Sequence, residues 1–194
     1  MELIIASSNQ NKLLEFKKIL GDKITLYNLS DYNINKEIPE DEDTIKKNAI
    51  FKAKFIYNQT GKNVFADDTG LEIDSLNGEP GVYSARYSGK EKNSEKNIQL
   101  VLNNLKNKID RNARFRTIIS LIHDGKCFNF EGIVNGKITL KRRGINGFGY
   151  DSIFQPNGYS MTFGEMENGE KNRISHRSIA INKMINYLKE NNLL

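Results

Sequence analysis

The sequence predicts a mixed α/β (α+β) fold, with a central mixed β-sheet flanked by helices. Three observations predict it. Short apolar runs of strand length, such as Leu3-Ile4-Ile5-Ala6 and Val64-Phe65-Ala66, alternate with stretches whose apolar residues recur every three or four positions. Asp124-Gly125 joins two long strand-like stretches, and that dipeptide favours a tight hairpin, so the sheet is not wholly parallel. No repeat, low-complexity tract or linker breaks the order, so residues 1–194 read as a single domain.

The elements follow in order. Leu3-Ile4-Ile5-Ala6 is continuously apolar, as expected of a strand covered on both faces. Ser7, Ser8 and Asn9 are all helix-capping types; Leu13, Phe16 and Leu20 then recur at helical spacing and Gly21 is the stop. Asp43-Thr44 caps a second helix with Ile45, Ala49, Ala53 and Ile56 on its inner face, ending at Gly61. A short strand, Val64-Phe65-Ala66, runs into Asp67-Asp68-Thr69-Gly70, after which Leu71 and Ile73 alternate as a further strand. Ser94 is the expected cap of a third helix along Ile98, Val101, Leu102 and Leu105. Residues 113–123 and 126–135 form the hairpin, 144–151 a glycine-rich loop, and Ser175 opens a last helix with Ala180, Ile181, Met184, Ile185 and Leu188 on one face.

Composition narrows the class. A chain of 194 residues buries roughly 70% of its unfolded surface, enough to need no disulfide or structural metal. One cysteine, Cys127, excludes an intrachain disulfide, and together with a first segment too short for a secretory apolar region it points to a reducing cytoplasm. No window approaches the ~20 apolar residues of a membrane span. The net charge of +5 is spread among asparagines and glutamates with no basic block, so nucleic acid is not an expected partner.

Five segments carry candidate chemistry. Ser7-Ser8-Asn9-Gln10-Asn11-Lys12 lies between a buried strand and a helix N-terminus, an anion-binding arrangement to which Lys12 adds a charge; an ordinary cap with a solvated lysine explains it as well. Glu40-Asp41-Glu42-Asp43 suits a helix dipole, while Lys52 falls among apolar positions and must reach water or an anion. Asp67-Asp68 ends a buried strand, where packing explains two carboxylates poorly: the pair is either an Asx-turn that closes the strand or an oxygen site that suits Mg²⁺, with one aspartate left to orient or deprotonate a water. Gly147-Phe148-Gly149-Tyr150-Asp151 offers a ring for stacking on a base. Ser175-His176-Arg177 places donors at a helix start. His123 and Cys127 read as structural, Cys127 as buried.

Taken together these segments resemble the inosine triphosphate pyrophosphatase family almost end to end. Ser7-Ser8-Asn9-Gln10-Asn11-Lys12 looks like its phosphate turn, Ala66-Asp67-Asp68-Thr69-Gly70-Leu71 and Pro80-Gly81-Val82-Tyr83-Ser84-Ala85-Arg86-Tyr87 like its central signature, and Gly147-Phe148-Gly149-Tyr150-Asp151, Lys171 and Ser175-His176-Arg177 like its base-recognition elements. The resemblance implies an elongated two-lobed domain with a substrate cleft between the lobes, usually a homodimer, that hydrolyses ITP, dITP and XTP to monophosphate and pyrophosphate with Mg²⁺. It implies that Ser7, Ser8, Asn9, Lys12 and Lys52 hold the triphosphate, that Glu40 and Asp68 hold the metal, and that Asp68 is the proton acceptor. Thr69, Phe148, Gly149, Tyr150, Asp151, Lys171, His176 and Arg177 would touch the nucleotide, with His176 and Arg177 donating to the C6 oxygen of the purine. Ser8, Ser152 and Gly164 depart from the family's usual glycine, proline and alanine. The rivals are a pyrophosphatase of the septum-inhibitor type acting on modified pyrimidine triphosphates, whose Ser-Pro-Arg-like opening is missing here, and a basic nucleic-acid-binding module, against which Asp67-Asp68 argues.

Overall fold

The computed structural model describes residues 1–21, 24–35 and 38–194. β1 (Glu2–Ile5) leads through a polar turn into α1 (Gln10–Leu20), and β2 (Thr25–Tyr27) and α2 (Ile45–Thr60) follow. Asn9 caps α1 by accepting from the N–H groups of Asn11 and Lys12, and Gly21 ends it at φ 59°, a conformation that costs glycine little. Thr44 caps α2 through the Lys47 N–H and Gly61 closes it. β3 (Val64–Ile73), α3 (Ser94–Asn104), β4 (Asn112–His123), β5 (Lys126–Ile138), β6 (Phe154–Pro156), α4 (Asn168–Ile174) and α5 (His176–Glu190) complete the order.

Among the described residues the strands form one six-stranded mixed sheet, ordered β2-β1-β3-β4-β5-β6. β1 pairs in parallel with β2 and β3, and β5 pairs antiparallel with β6. β4 and β5 are joined by Asp124 at φ 47° and Gly125 at φ 76°, both in the left-handed region, as a two-residue hairpin turn requires.

The structure corrects several expectations. The strand before Asp67 does not end there: β3 continues through both aspartates to Ile73, because their charges are neutralised by lysine and arginine and no turn is needed to expose them. α3 is capped by Asn93 instead of Ser94, its side chain accepting from the Lys96 N–H. Ser175 lies between α4 and α5, where its own N–H donates to the Lys171 carbonyl. β2, β6 and α4 carry no periodic signal: two are three residues long, and Lys171 is the buried residue of α4.

The chain divides into two compact units, and β3, β4 and β5 contribute residues to both. The first comprises Met1–Asp68, Thr117–Gly132 and Arg177–Leu194. Its sheet residues alternate between two cores: Leu3, Ile5, Phe65, Ile119 and Leu121 pack with α1 and α5, while Ile4, Ala6, Val64, Ala66 and Ile122 pack with α2. The second unit comprises Thr69–Arg116 and Ile133–His176, around Leu71, Ile73, Phe115, Phe154 and Phe163. No helix among the described residues is long and apolar enough to cross a membrane.

Candidate active site

In the first unit the period-two alternation that sorts the core also sorts the aspartates. Phe65 belongs to the α1/α5 core and Ala66 to the α2 core. Asp67 accordingly joins Lys12 of α1 and Arg177 of α5, and Asp68 joins Lys52 of α2.

On the Asp67 face, Lys12 Nζ lies 2.9 Å from Oδ2 and Arg177 Nε 3.7 Å from the same atom. Arg177, only 2% exposed, also pairs with Glu15 of α1. Burial by itself would raise the Asp67 pKa; Lys12, then Arg177 and Lys52, outweigh it and hold it at about 2. Lys12 sits one turn into α1, so the turn that aims it at Asp67 is fixed by the Asn9 cap. That cap already engages the N–H groups of Asn11 and Lys12, two of the donors expected to face an anion. Ser7 accepts from the Asn9 N–H, and Ser8 and Asn9 are exposed.

On the Asp68 face, Lys52 Nζ lies 2.7 Å from Glu40 Oε1 and 3.3 Å from Asp68 Oδ1. Of the two outcomes its place among apolar residues leaves open, Lys52 meets anions, and against the lowering effect of burial these anions, Asp68 first, raise its pKa. Asp68 goes the other way from Asp67: burial raises its pKa, with Glu40 and Asp67 adding to the rise, against the pull of Lys52 and Lys12. Neighbouring carboxyls with pKa values pushed apart are suited to different tasks. Asn48, fully buried on α2, accepts from the Glu42 N–H at 3.1 Å and pins the acidic segment beside the helix.

The second unit gathers a different set. Asp151 Oδ2 accepts from the Phe148 N–H at 2.7 Å and from Lys171 Nζ at 2.9 Å. The Lys171 ammonium lies 5.1 Å from the centre of the half-buried Phe148 ring, so one carboxylate fixes both the loop and the cation over its ring. A side chain on Gly147 would overlap the Asp151 carboxylate, which is why this position, at φ 74°, is glycine. Gly149, at φ 59°, turns the loop towards Tyr150. Tyr150 is buried and donates to the Ser84 carbonyl at 2.8 Å, while Ser84 Oγ accepts from the Leu71 N–H, tying the 80–87 segment to β3. His176, 3% exposed, stacks on Phe115 with ring centres 4.5 Å apart. Thr69 is half-buried on β3.

Within the first unit, then, the structure brings Lys12 and Arg177 to Asp67, and Glu40 and Lys52 to Asp68; within the second it brings Phe148 and Lys171 to Asp151. In the second unit His176 is stacked on Phe115, and in the first Arg177 is engaged by Glu15 and Asp67. Glu15 and Asn48 were not singled out by sequence as site residues. Glu15 follows Lys12 by three positions on one helix face, and Asn48 precedes Lys52 by four, so helical spacing was the available signal. His123 is a strand residue at the hairpin, as expected. Cys127 is exposed instead of buried, because β5 near the turn leaves most of its side chains to solvent.

The Asp68 face also bears on a metal. Asp68 Oδ2 is buried and has no hydrogen-bond partner among the described residues. Together with Glu40 it offers hard oxygen donors, and no group of three or more His, Cys, Asp or Glu able to hold a metal occurs among the described residues. This donor set fits an ion that takes one or two carboxylates and completes its shell with water and phosphate, as Mg²⁺ does.

The Ham1 family model matches residues 3–187. A dITP/XTP pyrophosphatase of Christiangramia forsetii is 50% identical over 190 residues, covering 98% of this chain and all of the relative. One of Flavobacterium johnsoniae is 47% identical over 188 residues, covering 97% and 98%. The structure of the Staphylococcus aureus Ham1 protein aligns with a TM-score of 0.90 at 40% identity, covering 98% of this chain and 100% of that one. A Ham1 protein from Coxiella burnetii aligns with a TM-score of 0.91 at 38% identity over 98% and 99%. Matching the family model over nearly its whole length, with segments that build both residue sets, the chain belongs to the Ham1 family.

Proposed function

We propose that this chain cleaves dITP and XTP, and ITP with them, between the α- and β-phosphates, releasing monophosphate and pyrophosphate with Mg²⁺ as cofactor. The service to the cell is removal of deaminated purine triphosphates from the nucleotide pool. The relatives' activity supports the reaction class, and the observation that carries the reading is the Asp68 face: a buried carboxylate oxygen with no hydrogen-bond partner among the described residues, beside Glu40 and Lys52. Mg²⁺ held by Glu40 and Asp68 would supply charge neutralisation to the phosphates.

Phosphoryl-type chemistry asks the chain mainly for position and charge. Ser7, Ser8, Asn9, Lys12 and Lys52 would hold the triphosphate, with Thr69 touching substrate. Asp68, its pKa raised by burial, would accept the proton of the attacking water. Phe148 would stack on the base, while Gly149, Tyr150, Asp151, Lys171, His176 and Arg177 shape or contact the nucleotide. Hypoxanthine and xanthine present an acceptor at C6 where adenine presents a donor, so a site built from donors rejects adenine. We take residues 1–194 as one catalytic domain, acting as a homodimer in the cytoplasm, a setting that suits the exposed thiol of Cys127.

Pyrophosphate release from dITP, XTP, ITP and dATP, with Mg²⁺ and with EDTA, tests the reading. The first three should be cleaved only with metal and dATP poorly. Comparable turnover of dATP, or full activity in EDTA, would refute it.

A further inference from the structure

We propose that Lys52 is the resident counter-cation of the Asp68 face: it bridges Glu40 and Asp68 where a divalent ion would claim them, and turns to the triphosphate only when that ion is taken up. The inference rests on the metal-dependent reading above and deepens it.

Four observations carry it. Lys52 is 4% exposed, and a buried ammonium persists only if anions replace its water. Its two anions come from separate parts of the chain, Glu40 from the acidic segment and Asp68 from β3, so their approach needs a positive charge between them. The backbones on both sides are held: α2 packs through Ala49, Ala53 and Ile56, and Asn48 binds the Glu42 N–H. What remains free to move is the four-carbon stem of Lys52. Finally, Asp68 keeps one buried oxygen outside the bridge, so the carboxylates are not saturated by a single ammonium.

One unit charge cannot serve both the carboxylates and a triphosphate. Once a divalent ion holds Glu40 and Asp68, Lys52 faces a like charge and loses its anions, and the phosphate oxygens become its nearest partner. Either ligand arriving alone must break the bridge, whereas the two together replace it. Their binding is therefore coupled, and by linkage each tightens the other equally.

The proposal predicts opposite effects of one substitution. Lys52→Met keeps the bulk and removes the charge. Without nucleotide, Mn²⁺ binding followed by the electron paramagnetic resonance of the free ion should be at least about tenfold tighter in Lys52→Met than in the unaltered chain, in line with the effect of one nearby charge on a carboxylate. Inorganic triphosphate with Mg²⁺ should bind more weakly. Equal or weaker Mn²⁺ binding by folded Lys52→Met would overturn the proposal. If that variant does not fold, the unaltered chain decides: with ¹⁵N-lysine labelling, the Lys52 ammonium resonance should shift when Mg²⁺ and triphosphate are added together, and an unmoved resonance at saturation would overturn it. The EDTA assay separates the two levels: hydrolysis that survives EDTA sinks the metal-dependent reading, whereas metal-dependent hydrolysis with unimproved Mn²⁺ binding sinks this inference alone.

Discussion

Asp67 and Asp68, consecutive on β3, project to opposite faces of the sheet: Asp67 lies 2.9 Å from Lys12 Nζ and Asp68 3.3 Å from Lys52 Nζ. The first keeps a pKa of about 2 and the second is raised, so one strand step separates two carboxyls that hold a proton with different strength.

For Asp68, the isosteric change to Asn removes the proposed proton acceptor and leaves the strand intact. Turnover of dITP should fall by ~10²-fold or more, the usual contribution of a positioned acid–base group, with an unchanged circular-dichroism spectrum. Turnover within a few-fold of the parent would assign the proton to another residue.

For Asp67 the consequence is stability. Its folded pKa of about 2 lies below the ordinary 3.8, so its contribution is complete above the unfolded value and is lost as pH falls through about 2. The shift corresponds to about 2 kcal/mol. Urea unfolding at about pH 5 and about pH 2 should show that much more acid destabilisation in the parent than in Asp67→Asn. Identical acid slopes would show that Asp67 is not held ionised by its cations.

The base-side loop is tested at Gly147, where a methyl group would displace the Asp151 carboxylate from Phe148 and Lys171. Gly147→Ala should destabilise the fold by about 1–3 kcal/mol and raise KM for dITP, XTP and dATP together, since stacking does not choose among bases. Phe148→Ala should raise the same three constants without the stability loss. A Gly147→Ala chain with parental Tm and KM would mean that the carboxylate latch is dispensable.

Arg177 gives the sharpest stability prediction. Arg177→Met leaves Glu15 and the buried Asp67 without their guanidinium, and breaking a buried pair from one side costs about 3–5 kcal/mol. The Glu15→Gln/Arg177→Met double change should recover part of this in a thermal melt. Additive losses would show that Glu15 and Arg177 are not coupled.

Much of this was legible in the sequence. Asn9, Thr44 and the Gly21 and Gly61 stops announced α1 and α2, and Asp124-Gly125 announced the hairpin, because capping and turn chemistry act within a few residues. The apolar neighbours of Lys52 show that it must reach water or an anion, but not which of the two. What stayed hidden depends on partners distant in sequence. Nothing near Asp67 says that β3 runs on through it, since the neutralising charges come from α1 and α5. The bond of Arg177 to Glu15, 162 positions away, is likewise invisible locally. β2 and β6 are too short to show a period.

In the proposed reaction, water attacks the α-phosphorus of a deaminated purine triphosphate with Asp68 as proton acceptor. Hydrolysis of dITP in ¹⁸O-water with Mg²⁺, read by mass spectrometry, tests it most directly. The first products should be dIMP carrying the label and unlabelled pyrophosphate. Label in the pyrophosphate, or dIDP with orthophosphate, would contradict it.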